Sequence, residues 1–124
     1  MIKLTIRRAQ LEAFRQGLTD ALYVRLVKDL RLASPQQTAS KSDEELRALC
    51  SREAPTARTF GIVAEDDLLR YLVLVLRQGP GFGVDAETAW AGSILRRRDL
   101  EAHEKLNLID EHELFGSRDR TRER

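Results

Sequence analysis

The residues able to do acid/base, nucleophilic or metal chemistry fall into a few short stretches, and in each the spacing weighs against a site. Residues 99–113, DLEAHEKLNLIDEHE, set two histidines among carboxylates, the side-chain types of a zinc centre. His103 and His112 stand nine residues apart, and about two and a half helical turns put them on opposite faces of one helix. A charged, solvated helix is the expectation there. Glu65, Asp66 and Asp67 are consecutive acids, and neighbours along a helix do not face one another as an acid/base pair must. Their natural place is the positive end of a helix that begins with them. Cys50 lies among apolar positions at helical spacing, where a thiol is a small core side chain rather than an activated nucleophile. No serine occupies a nucleophile elbow. Residues 79–83, GPGFG, lack the lysine and spacing of a phosphate-binding loop. Arg96, Arg97 and Arg98 suit a helix C-terminus, whereas a nucleic-acid surface needs more cations aligned on one face and a docking motif. No catalytic residue, metal ligand or cofactor site is assigned, and the chain is expected not to be an enzyme.

The elements behind these stretches are arranged around Phe60–Gly79, FGIVAEDDLLRYLVLVLRQG. From Leu68 to Leu76 every residue except Arg70 is apolar, as befits a segment in the middle of a fold. Acids at its start and Gly79-Pro80 at its end mark a helix. The 124 residues form one core, large enough to bury roughly two-thirds of the unfolded surface without a disulfide or metal staple. A single cysteine excludes an intramolecular disulfide and suits a reducing cytoplasm. The N-terminus has no apolar stretch of signal-peptide length, and no apolar run approaches the roughly 20 residues of a membrane span. A soluble, cytoplasmic chain without membrane or nucleic-acid partners is expected.

The first segment places Leu11, Phe14, Leu18, Leu22, Leu26 and Leu30 three or four residues apart, with Tyr23, Val24 and Val27 widening the stripe. Gly17 predicts either one kinked helix or two short ones meeting there, and MIKLTI leaves a short strand open. Residues 33–41 read as a loop. Ser42 and Glu45 form a capping box ahead of Leu46, Leu49 and Cys50. That helix should end near Glu53 or Ala54, Pro55 opening a short helix closed by Gly61. Phe82 should plug the end of the core. Asp85 should cap a helix to about Arg98 with Trp90, Ile94 and Leu95 inward, and Asp99 should start a last helix burying Ala102, Leu106, Ile109 and Leu114 or Phe115. The fold expected is an all-α single-domain bundle of five or six helices over residues 1–116, with 117–124 a charged, disordered tail.

Charge is uneven along the chain although the total is only +1. Residues 1–33 hold seven basic and three acidic side chains, whereas residues 81–116 hold four basic and eight acidic. A partner can read such an asymmetry. The expected protein-binding residues are Arg7, Arg8, Arg15, Arg25 and Lys28 on the first helix and Glu101, Glu104 and Glu111 on the last.

A pattern of mostly structural residues runs through the same elements: Ala57 with Phe60-Gly61-Ile62, Glu65, Asp67-Leu68, Tyr71 and Leu74, Gly79 and Phe82, Trp90-Ala91, Ile94-Leu95, and Lys105-Leu106. With the amphipathic Gln10–Leu30 segment, it resembles small helical proteins of bacterial type VI secretion effector clusters. The chain departs from that pattern at Phe60, where the pattern leads one to expect tyrosine, and at Ala64, where it leads one to expect a capping serine or threonine. The resemblance implies a non-enzymatic co-chaperone that helps load a secreted effector, with an adaptor chaperone, an effector or a proline-alanine-alanine-arginine tip protein as partner. An immunity protein that neutralises a co-encoded toxin is the alternative. Oligomeric state and the identity of the partner do not follow from the sequence.

Overall fold

The computed structural model describes the backbone of residues 2–79 and 81–123, and the side chains of residues 10, 11, 17, 19–79 and 81–114. The chain is an all-α bundle of six helices, with no strand among the described residues: α1 (Ile2–Ala33), α2 (Pro35–Thr38), α3 (Asp43–Thr59), α4 (Glu65–Gln78), α5 (Ala89–Leu95) and α6 (Ala102–Glu123). A 3-10 turn, Ala86–Thr88, precedes α5. Two compact units divide the chain, Met1–Ser51 and Arg52–Arg124, and the boundary falls inside α3.

In the first unit, α1 turns Leu26, Val27 and Leu30 inward, and α3 contributes Leu46, Leu49 and Cys50. The capping box forms as its residue types require: Ser42 Oγ accepts from the Glu45 N–H at 3.1 Å, and Glu45 Oε1 accepts from the Ser42 N–H at 3.2 Å. Arg31 fixes the connection between α1 and α3. Its guanidinium donates to the carbonyls of Thr38 at 3.0 Å and Lys41 at 2.9 Å, and to Asp43 Oδ1 at 2.6 Å. Arg47 of α3 reaches Asp20 of α1 at 2.7 Å.

Of the two readings open at Gly17, one helix rather than two is found: α1 is continuous through it, and its missing Cβ would meet nothing within 4 Å; an interior glycine weakens a helix by about 1 kcal/mol without having to break it. Two other expectations for this part of the chain are corrected. The inward stripe is narrower than its spacing suggests, since Leu11 and Val24 are exposed while Leu22 and Tyr23 are half-buried. The connection over 33–41 carries the short helix α2, opened by Pro35. Phe14 and Leu18 lie outside the described side chains.

The second unit is organised on α4, which buries Leu68, Tyr71, Leu72, Leu74 and Val75. Gly61 ends α3 with φ 80 and a Schellman pair of bonds, Ile62 N–H to the Ala57 carbonyl and Gly61 N–H to the Arg58 carbonyl, both at 3.0 Å. Tyr71 lies at the centre of an aromatic row, its ring 6.3 Å from Phe60 and 6.1 Å from Phe82. Phe82 is buried, as a plug should be. Arg70, the one charge in the apolar run, points along α6 to Asn107 and Asp110, each at 2.9 Å. One turn or more further on, Arg77 and Gln78 meet Glu113 at 3.5 and 2.6 Å. A polar seam thus borders the apolar contact of α4 with α6.

Pro55 does not start a helix; it sits inside α3. Its ring is exposed, while Cys50, Ala54 and Ala57 continue one buried face past it, so packing outweighs the single backbone bond that proline forfeits. Asp85 precedes the 3-10 turn and makes no side-chain cap, and α5 is only seven residues long. Its buried face is Ala91, Gly92 and Leu95. A Cβ on Gly92 would lie 2.1 Å from the Gly83 carbonyl oxygen, so the chain approaches α5 too closely for anything larger. Trp90 lies to the side, half-buried, its ring stacked on His112 of α6 at 3.8 Å and 16°. The last helix begins at Ala102 rather than Asp99, which is paired with Arg97 instead. Leu106 and Ile109 are buried, Ala102 is half-buried and Leu114 is 54% exposed. The expectation for Phe115 and for the tail at 117–124 falls outside the described side chains.

Candidate functional site

Of the five basic residues expected to meet a partner, Arg25 and Lys28 have described side chains, and both are exposed on α1. Arg7, Arg8 and Arg15 lie outside the described side chains. The outward face to which Arg25 and Lys28 belong also carries Ala21, Val24 and Leu32, residues three or four apart as one helix face requires. Val24 is 60% and Leu32 73% exposed.

Glu101, Glu104 and Glu111 are exposed too. Glu104 Oε1 accepts from the Glu101 N–H at 3.0 Å, so the carboxylate folds back over the start of α6 as a capping glutamate does. Glu101 Oε2 stands 3.5 Å from His103 Nδ1. One ligand atom from each of Glu101, His103 and Glu104 lies within 4.8 Å of the others, all three groups being exposed. The distance between His103 and His112 hides this trio, which is local to one turn. His112 is engaged elsewhere, against Trp90.

Several groups with chemical potential are held by the fold. Cys50 is fully buried, and desolvation pushes its thiol up to about 11, far from the thiolate needed for attack. The Tyr71 hydroxyl lies 3.5 Å from Glu53 Oε1, and its proton is held well above the usual phenol range, first by burial and then by that carboxylate. Glu53 also accepts from Arg52 Nε at 3.0 Å. Lys105, which is 5% exposed, donates to the carbonyls of Phe60 at 2.7 Å and Leu95 at 2.8 Å.

Above Lys105 lies a cleft of about 770 Å³ that the spacing of the sequence did not reveal. Arg58, Arg96, Arg98 and Lys105 supply its positive charge, and Phe60, Leu95 and Leu100 its apolar wall. Glu101 stands in the same lining. The run Arg96-Arg97-Arg98 looks uniform in sequence, but its members part company. Arg97 grips Asp99 through Nε at 3.1 Å and Nη2 at 2.5 Å, which holds the Asp99 carboxyl below its usual range, whereas Arg96 and Arg98 line the cleft. A smaller cleft of about 520 Å³, lined by Arg77, Asp110, Glu113 and Leu114, borders the polar seam.

Comparison of the chain with protein-family models, with curated proteins and with solved structures gives no match. No helix among the described residues is long and apolar enough to cross a membrane.

Proposed function

We propose that the chain is a non-enzymatic binding protein of the bacterial cytoplasm, a co-chaperone that assists an adaptor chaperone in loading a type VI secretion effector. The observation that carries this reading is the outward face of α1, where Val24 and Leu32 are exposed on either side of Arg25 and Lys28. Such a face offers a protein partner apolar area to bury and cations that select acidic complements. The engaged state of Cys50, Tyr71 and Lys105 favours recognition over bond-breaking chemistry. The family resemblance supplies the class of partner.

Co-purification from the native host tests the proposal. The chain should retain an adaptor, an effector or a tip protein, and Arg25→Glu with Lys28→Glu should lower that recovery about tenfold or more. Recovery of none of the three, or undiminished capture by the double variant, overturns the reading or its surface respectively. Rescue of cells from a co-encoded toxin by simple co-expression would assign the chain to immunity instead.

A further inference from the structure

We propose that the cleft around Arg58, Arg96 and Arg98 binds an acidic peptide segment of another protein, one that sets carboxylates beside an apolar side chain. The inference uses residues of the second unit only and goes beyond the α1 surface, so either can fail without the other.

Charge pairing is the first observation. Among the described arginines of this unit, Arg52, Arg70, Arg77 and Arg97 each have a carboxylate partner. Among the described residues the side chains of Arg58, Arg96 and Arg98 have no hydrogen-bond, ionic or ring partner, and all three residues line the same cleft. A protein that pairs its other arginines here leaves three guanidinium forks pointed at one volume, and each fork matches a carboxylate in a two-bond geometry.

The floor of the cleft strengthens the field. The carbonyl ends of α3 and α5 would present negative dipole to this space, but Lys105 occupies the carbonyls of Phe60 and Leu95. The start of α6, at Ala102, also lies in the lining, its positive end partly offset by the Glu104 carboxylate that caps it. Glu101 is the one opposing charge in the lining itself.

The walls select among anions. Phe60 and Leu100, both half-buried, give an inorganic ion nothing to bury against, whereas a peptide with an apolar residue next to its acids uses both surfaces. The volume, about 770 Å³, lies in the range of ligand sites and holds a few side chains rather than a whole domain.

Fluorescence anisotropy on the full chain, with a fluorescein-labelled peptide of alternating glutamate and leucine, tests this. Saturable binding is expected, weakened about three- to tenfold by each of Arg58→Ala, Arg96→Ala and Arg98→Ala. Arg96→Lys keeps the charge but loses the fork, and should weaken binding by less than Arg96→Ala. Glu101→Gln should tighten binding about twofold, because a repelling carboxylate is removed. A glutamate and serine peptide should bind about tenfold more weakly than the leucine one. Thermal melts of these exposed-site variants should match the parent. Absence of saturable binding, or arginine variants that bind like the parent, overturns the proposal. Equal affinity for the serine peptide together with displacement by inorganic phosphate would leave an anion site only, and overturns the peptide assignment.

Discussion

The Lys105 ammonium lies 2.7 Å from the Phe60 carbonyl oxygen, a contact between residues 45 positions apart that closes the C-terminal end of α3 from a side chain of α6. The same ammonium closes α5 through Leu95. A buried cation is costly unless its donors are used, and here at least two are.

Lys105→Met should therefore destabilise the fold by about 2–4 kcal/mol, since it leaves two helix-end carbonyls without their donor. Lys28→Met, on an exposed side chain, should stay within about 0.5 kcal/mol of the parent. Urea unfolding of the two variants side by side makes the comparison.

Glycine substitutions should separate close approach from mere flexibility. Gly92→Ala puts a methyl group 2.1 Å from the Gly83 carbonyl oxygen and should cost more than about 2 kcal/mol through forced backbone movement. Gly17→Ala adds a methyl group in open space within α1 and should gain about 0.5–1 kcal/mol. Equal effects in thermal unfolding would refute the close approach.

Trp90→Ala should cost about 1–2 kcal/mol, below the roughly 3–5 kcal/mol of a fully buried tryptophan, because half-burial and one ring stack are what it loses. His112→Ala should reproduce part of that loss, because it removes the same stack, and shift Trp90 emission toward longer wavelength. Denaturant midpoints and emission spectra are the measurements.

Stability should fall in alkali. The Cys50 thiol is raised from 9.0 to about 11 in the folded chain, and Tyr71 is raised above its ordinary 10.0. Above the ordinary values the unfolded chain releases protons that the folded chain retains, so the folded state loses ground as pH rises. Stability from these groups is complete below pH 9.0 and is lost upward through about 11 for Cys50. Cys50→Ala should flatten the lower part of that decline and Tyr71→Phe the upper, read from urea midpoints across the pH range.

Much of the architecture is written locally. The Ser42 and Glu45 pair forms the cap its residue types announce, Gly61 takes the positive φ that a helix stop needs, and Phe82 goes to the core. What escaped is non-local. Pro55 is a breaker by its own chemistry, and only the continuation of a buried face from Cys50 to Ala57 shows why α3 runs through it. Trp90 is large and apolar, yet it is only half-buried and its ring stacks on His112, a partner on another helix that the local spacing does not announce. Lys105 did leave a signal, a cation at helical spacing from Ala102 and Ile109 and next to Leu106 on the inward face. The arginine cleft left less, because Arg58 is separated from Arg96 and Arg98 by more than thirty residues, and only folding brings them to one volume.

The clasp of Arg31 bears on how the molecule tolerates change in length. Surface connections commonly accept insertions, but this one is measured out by a single guanidinium that holds Thr38, Lys41 and Asp43 at once. An extra residue between Thr38 and Lys41 would leave at least one of those acceptors out of reach. The segment is a ruler between α1 and α3, and it is a poor place for an epitope tag, a cleavage site or a new pair of chain ends.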